Sequence, residues 1–207
     1  VIVVVNSGTS NVGSIVNMLK KVGSNGVISE DPEMIRQAER LILPGVGSFD
    51  SGVSALRRLD LWDCLQEMVI KKAVPCLGVC LGMQMMCRGS EEGELPGLGW
   101  FEADVVRLPK STVEGVLRVP HMGWNRITPR NTHPIMAELA TNARFYFVHS
   151  YCVQADHARD VVATCNYGVE FACSIAKDNV VAVQFHPEKS HKFGMKLMAN
   201  FVNWNPA

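Results

Sequence analysis

The chain opens on five β-branched residues in a row, Val1 to Val5. An apolar run without alternation predicts a strand covered on both faces, and the polar stretch Ser7-Gly-Thr-Ser-Asn11 behind it predicts a turn. Apolar positions then recur at helical spacing from Val12 to Val22. The same order returns twice. Arg40 to Leu43 reads as a strand, Pro44-Gly-Val-Gly47 as a loop, and Ser51 to Ala73 as a helix; Val74 to Val79 reads as a further strand before another helix. Strands alternating with helices predict an α/β fold with a parallel sheet flanked by helices.

From about Gly99 the pattern changes to short apolar segments broken by Pro and Gly. Trp100 to Leu108, Gly115 to Val119, Arg144 to Tyr151, Val161 to Tyr167, Phe171 to Ala176 and Val180 to Phe185 predict strands. They form a mixed or antiparallel part of the same open, mainly parallel sheet. Lys192 to Trp204 predicts a closing helix over one face. No internal repeat or linker divides the chain, so residues 1–207 are expected to form a single domain.

A length of 207 residues suits one core built without disulfides or metal. Lys plus Arg and Asp plus Glu number 20 each, which leaves no net positive field to gather phosphates along a nucleic acid. Val1 to Val5 is too short for a membrane helix or a signal sequence, so a cytoplasmic protein is expected. Seven cysteines are spread through apolar stretches and are expected to be reduced. With no CxxC pair and no HExxH arrangement, no metal or other cofactor is expected.

Against that background one cysteine stands apart. Gly78-Val79-Cys80-Leu81-Gly82 follows an apolar strand and precedes Met83-Gln84-Met85-Met86, the strand-to-helix context of a nucleophile elbow. A sharp turn holds such a nucleophile in a strained conformation, and side chains two before or two after it would collide with strand and helix. The helix N-terminus also favours the thiolate. Glycine-rich turns of this kind bind phosphates too, so a base is needed to settle the reading.

His186-Pro187-Glu188 supplies one, at the end of the apolar strand from Val180. Pro187 biases His186 toward extended geometry, in which residues two apart point the same way, so Glu188 can orient the imidazole. Cys80, His186 and Glu188 thus read as nucleophile, acid/base and orienting carboxylate.

These motifs resemble those of the class I (triad) glutamine amidotransferases. Pro44-Gly-Val-Gly-Ser-Phe49, Pro120-His-Met-Gly-Trp-Asn125, Phe147-Val-His-Ser-Tyr151 and His186-Pro-Glu-Lys-Ser190 are similar to segments of the glutaminase subunits of imidazole glycerol phosphate synthases. The resemblance implies a flavodoxin-like sheet and hydrolysis of L-glutamine to glutamate and ammonia. The ammonia would pass to a cyclase subunit, forming a heterodimer that makes imidazole glycerol phosphate and an aminoimidazole carboxamide nucleotide in histidine biosynthesis. It also implies an oxyanion hole from Leu81 and the Gly45-Val46-Gly47 loop, represented by Val46, and substrate contacts from Gly47, Gln84, Ser150 and Tyr151. For Gln84 an exposed polar role on the first helical turn is the alternative. Lys189 and Trp124 are expected to meet the partner over the mouth of the site, with core packing the alternative for Trp124.

Two segments depart from the pattern: Asn6-Ser-Gly-Thr-Ser-Asn11, where many members have Asp-Tyr-Gly, and Cys152 after His149-Ser-Tyr. Relatives in surface-sugar pathways deliver ammonia to a different acceptor, which is the alternative reading. A stand-alone cysteine hydrolase of γ-glutamyl compounds would need added segments to enclose its substrate. A pyridoxal phosphate synthase glutaminase would carry a Gly-Gly-Glu-Ser type loop in place of Pro44-Gly-Val-Gly47. An inactive binding subunit would have lost a member of the triad.

Overall fold

The computed structural model describes all residues except Thr9, Val113, Glu114 and Ala207, and all side chains of the others except that of Thr112. The turn expected at Ser7 to Asn11 therefore contains one residue, Thr9, outside the described set.

In chain order the elements are β1 (Ile2–Val5), α1 (Val12–Lys21), β2 (Gly26–Ser29), α2 (Pro32–Ile35), β3 (Arg40–Gly45), α3 (Phe49–Arg58) and α4 (Leu61–Leu65). A π-helical turn, Gln66–Lys71, leads to β4 (Cys76–Cys80) and α5 (Leu81–Met85). The second half holds β5 (Ala103–Arg107), β6 (Ser111–Thr112), β7 (Gly115–Val116), β8 (His121–Pro129), β9 (Arg144–His149), β10 (Tyr151–Ala155), β11 (Val161–Asn166), β12 (Glu170–Lys177), β13 (Val180–Val183) and α6 (His191–Asn203).

Eleven strands form one sheet in the order β2-β1-β3-β4-β13-β12-β11-β8-β9, with β10 joining β12 to β5. The first five in that order pair in parallel, and every pairing beyond β13 is antiparallel. This is the mixed, mainly parallel-then-antiparallel arrangement that the two textures of the sequence imply.

The β-branched run at the N-terminus is explained by the two cores it separates. Val3 and Val5 pack with Leu41, Leu43, Val53 and Leu56 on one face. Ile2 and Val4 pack with Ile15 and Leu19 of α1 and with Leu197 and Phe201 of α6 on the other. Successive side chains of a strand point to opposite faces, so a strand buried on both has no polar position to spare.

The helix expected over Ser51 to Ala73 is broken. Asp60 has φ 55°, the left-handed conformation that ends α3, and the chain restarts as α4 and then widens into the π turn. Asp is among the few residues besides Gly that tolerate this region, because its short polar side chain can bond locally. The strand expected at Gly115 to Val119 is cut to two residues, paired only with β6. Four strands escape the apolar pattern: β2, the two-residue β6, β8 and β10. Edge strand β2 leaves Val27 and Ile28 exposed, and β8 alternates buried His121 with exposed Met122 and Trp124.

Among the described residues no helix is long and apolar enough to cross a membrane, and no cluster of His, Cys, Asp and Glu could hold a metal. All seven cysteines are free. The C-terminal ends of β3, β4 and β13 converge on one edge of the parallel section, where open α/β sheets place their ligands.

Candidate active site

Cys80 is the last residue of β4, at φ 55° and ψ −110°, and α5 begins directly after it. Such a backbone is costly for a residue with a side chain and persists only where its surroundings over-determine it. The flanking glycines show how. A Cβ on Gly82 would lie 1.8 Å from the carbonyl oxygen of Leu43, and one on Gly78 would lie 2.7 Å from Met86 Sδ. With both positions bare, helix and strand close on the turn and lock it.

Cys80 lies in a cleft of about 310 Å³ lined by Val46, Gly47, Leu81, Gln84, Glu92, Ser150 and Tyr151, among others. Every residue assigned to the oxyanion hole or to substrate contact by the resemblance is therefore brought to the nucleophile. Leu81 N–H belongs to the first turn of α5, whose amides have no intrahelical partner. Gly47 is at φ +100°, while Val46 is not among the residues at positive φ.

His186 is held from behind by β9: its N–H donates to Tyr146 O at 2.9 Å. Ser190 Oγ donates to His186 O at 2.6 Å and accepts from Tyr146 N at 3.0 Å. His186 itself is extended (φ −102°, ψ 97°), but Pro187–Lys189 is a 3-10 turn and not the continued extended chain that the sequence implies, and it brings Glu188 Oε1 within 2.7 Å of Nδ1. Both side chains are nearly wholly buried, 2% and 7% exposed.

Burial is the largest single influence on His186 and pulls its pKa down. The hydrogen-bonding and charge interactions of Cys80 and Glu188 together outweigh it and push the value up to about 9. Nε2 is near enough to the Cys80 sulfur to feel it in this way, yet closes no hydrogen bond of strict geometry. Such bonds tighten only when the substrate is in place. Elsewhere burial pushes Cys152 up to about 11 and Cys165 to about 12, and Cys76, Cys87 and Cys173 higher still, the behaviour of inert core thiols.

The family model for class-I glutamine amidotransferases matches residues 3–204. The chain belongs to this family. It is 50% identical over 201 residues to imidazole glycerol phosphate synthase subunit HisH 2 of Pseudomonas aeruginosa, covering 97% of this chain and 98% of that one. It is 47% identical over 201 residues to the protein of the same name in Methanococcus maripaludis, with the same coverage. Among solved structures, the Trypanosoma brucei CTPS glutaminase domain with bound acivicin superposes with a TM-score of 0.66 at 15% identity, over 100% of this chain and 95% of that one.

Within this amidotransferase, Gln84 is not the exposed polar residue that was its alternative. It is buried, and its Nε2 donates to Tyr151 O at 3.1 Å and to Gln184 Oε1 at 3.0 Å. With both N–H groups engaged, what it can offer the cleft is its oxygen, an acceptor suited to an ammonium group. Glu92 lines the same cleft, held by Phe49 N–H at 2.9 Å, and was not singled out by the sequence. Nor was Gln184, although a polar residue inside the apolar run Val180 to Phe185 was a usable signal.

Two buried histidines were also missed as a unit. His149 Nδ1 lies 2.8 Å from Tyr151 O, which can only accept, so Nδ1 carries the proton and Nε2 is bare. His121 Nδ1–H then donates to that Nε2 at 2.9 Å, and His121 Nε2 accepts from Asn125 Nδ2 at 3.2 Å. The chain fixes both tautomers and needs both rings neutral. Burial enforces this, lowering His121 to about 4 and His149 to about 3.

Lys189 and Trp124, the residues expected to meet a partner, lie outside the lining of the cleft that holds Cys80. Lys189 borders a separate hollow with Ser14, Lys21 and Glu188, and Trp124 borders another with Arg144 and His191. Trp124 is 44% exposed, which removes core packing as its role. Its ring stacks on His191 at 5.4 Å and meets Tyr146 edge-on at 6.2 Å, while Lys189 Nζ lies 5.6 Å from the Tyr146 ring centre. The two form one aromatic and basic face beyond the carboxylate of the triad.

Proposed function

We propose that this chain is the glutaminase subunit of an imidazole glycerol phosphate synthase, hydrolysing L-glutamine through Cys80, His186 and Glu188. The observation that carries the chemistry is the His186–Glu188 pair at 2.7 Å beside a cysteine held at an elbow. Identity of 50% and 47% over 97% of the chain to subunits of that name supports the choice of synthase.

Cys80 Sγ attacks the side-chain amide carbon, and the oxyanion is met by the N–H groups of Leu81 and Val46. His186, protonated up to about pH 9, gives its proton to the departing ammonia. The neutral ring then takes a proton from water, which attacks the thioester and releases glutamate. Glu188 keeps the ring turned and favours the imidazolium. Glu92 and the Gln84 oxygen hold the α-ammonium of the substrate, and Gly47, Ser150 and Tyr151 complete its cradle. Ammonia passes to the cyclase subunit, docked on the face of Lys189 and Trp124 in a heterodimer. The protein works in the cytoplasm as one domain, without a cofactor.

A second acceptor has specific support. Asn6-Ser-Gly stands in the first loop where many members have Asp-Tyr-Gly. That departure is what supports the second reading, a paralogue that feeds a surface-sugar synthase. Co-purification from the native organism followed by a glutamine-dependent assay on each candidate acceptor tests both. Recovery of a cyclase with formation of imidazole glycerol phosphate supports the first reading, and amidation of a sugar nucleotide replaces it with the second.

A further inference from the structure

Gln184 stands one residue beyond the last pair of the β13–β4 ladder, Val183 with Val79, and therefore beside Cys80. It is fully buried, and a buried amide must find partners at both ends. Its Nε2 lies 3.7 Å from Cys80 Sγ, and its Oε1 accepts from Gln84 Nε2 at 3.0 Å.

Which end of the amide faces the sulfur follows from the network. Tyr151 O can only accept, so the end of Gln84 that meets it at 3.1 Å is the NH₂ group. That same NH₂ meets Gln184, so Gln184 presents its oxygen there and its own NH₂ to the sulfur. A peptide oxygen thus aims, through two side-chain amides, a hydrogen-bond donor at the nucleophile.

We propose that Gln184 is a catalytic residue of the glutaminase reaction, donating a hydrogen bond to Cys80 Sγ that stabilises its anionic form in both half-reactions. The proposal rests on Cys80 being the nucleophile. Before attack, the donor favours the thiolate facing the His186 imidazolium. During hydrolysis of the thioester, water loses a proton to His186 and its oxygen bonds the carbonyl carbon. The C–S bond then breaks with its electron pair going to Sγ, where the Gln184 N–H receives it, and the thiolate–imidazolium pair is restored. Being neutral, the donor does this without competing with His186 for Glu188.

A donor that stabilises a thiolate also blunts it, and magnitudes decide which effect wins. Nucleophilicity falls only about threefold for each tenfold gain in thiolate, so at a pH where thiol would otherwise dominate the gain is larger.

Gln184→Leu removes the donor and the acceptor for Gln84. Gln184→Glu keeps an acceptor for Gln84 and replaces only the donor, with a negative charge beside the sulfur. In the assembled complex, the rate of Cys80 alkylation by iodoacetamide, mapped by peptide mass, would be followed against pH beside kcat and KM for glutamine. Both variants should move the midpoint of the alkylation profile up by about one pH unit or more. Both should lose about 10- to 100-fold in kcat, the usual worth of a hydrogen bond to a charged atom, with KM within about threefold. If Gln184→Leu fails to fold, Gln184→Glu carries the same comparison. An unmoved profile, with losses that track thermal stability, would overturn the proposal and leave Gln184 a packing residue. Glutaminase activity persisting in Cys80→Ala is a separate result, which would remove the nucleophile assignment itself.

Discussion

His186, at the end of an extended segment, and Glu188, on the 3-10 turn that follows it, are joined by a 2.7 Å hydrogen bond between side chains that are almost entirely buried. Glu188→Gln keeps the shape but removes the charge. It should lower turnover by less than His186→Ala does, and it should still allow thioester formation. Because the folded His186 value lies near 9, above the ordinary 6.5, the proton donor is present at neutral pH and lost as pH rises through about 9. Rapid-quench measurement of ammonia release should show this alkaline limb, moved toward neutrality in Glu188→Gln. An equal or larger loss in Glu188→Gln than in His186→Ala would reverse the roles.

Cys80→Ala or Cys80→Ser should abolish glutamine-dependent synthesis and spare synthesis from added ammonium salt, since the proposed function puts the acceptor site on another chain. Cys76→Ala and Cys165→Ala should instead cost stability, by roughly 1 kcal/mol or more for a buried side chain, and leave the chemistry intact. Paired assays with both nitrogen sources and a thermal melt check each variant.

Val46 and Gly47 border the cleft, and the left-handed conformation falls on the glycine. Rotating the peptide between Gly45 and Val46, to aim the Val46 N–H at the oxyanion, would change φ of Val46 and press a β-branched residue toward strain. The subunit alone should therefore be slow, with partner and nucleotide substrate raising glutamate release by about 10² to 10³, the worth of one oxyanion donor. Val46→Gly should raise the lone subunit's rate by about 5- to 30-fold, from the cost of left-handed geometry. Equal rates with and without partner would remove this control.

Trp124→Ala and Lys189→Ala should each weaken assembly while leaving the fold and its melting temperature nearly unchanged, since both side chains are exposed. Titration calorimetry against the partner gives the loss, expected to be larger for the stacked Trp124 than for Lys189. A complex in which both residues lie away from the partner would end the docking proposal.

The apolar runs made the parallel half legible, because a strand buried on both faces has a composition unlike anything else in the chain. The elbow was legible for a related reason: Gly78 and Gly82 are needed where a Cβ would strike Met86 and Leu43. What stayed hidden depended on tertiary neighbours. Asp60 ends a helix through its backbone angle alone, with no Gly or Pro to mark it. Gln84 and Gln184 look like unrelated polar residues until the β13–β4 register brings them together. Trp124 could be core or surface until the alternation of β8 turned it outward.

His121 and His149 have folded values near 4 and 3, below the ordinary 6.5, so the fold holds them neutral. A depressed value contributes stability that is complete above about 6.5 and lost as pH falls through the folded values. The melting temperature should therefore drop between pH 6.5 and 4, with a shallower drop in His121→Gln, which has one titrating ring fewer. Identical pH profiles for the two proteins would show that the pair does not govern acid unfolding.

The carbonyl oxygen of Tyr151 accepts from both Gln84 and His149, and so anchors the amide pair on one side and the histidine pair on the other. An anchor made of main chain cannot be deleted by any point mutation. Drift at position 151 can alter the ring that faces the cleft, and with it the fit of the substrate, while the scaffold behind the nucleophile keeps its alignment. Specificity and reactivity are thereby assigned to different atoms of one residue, and a lineage can retune the first without risking the second.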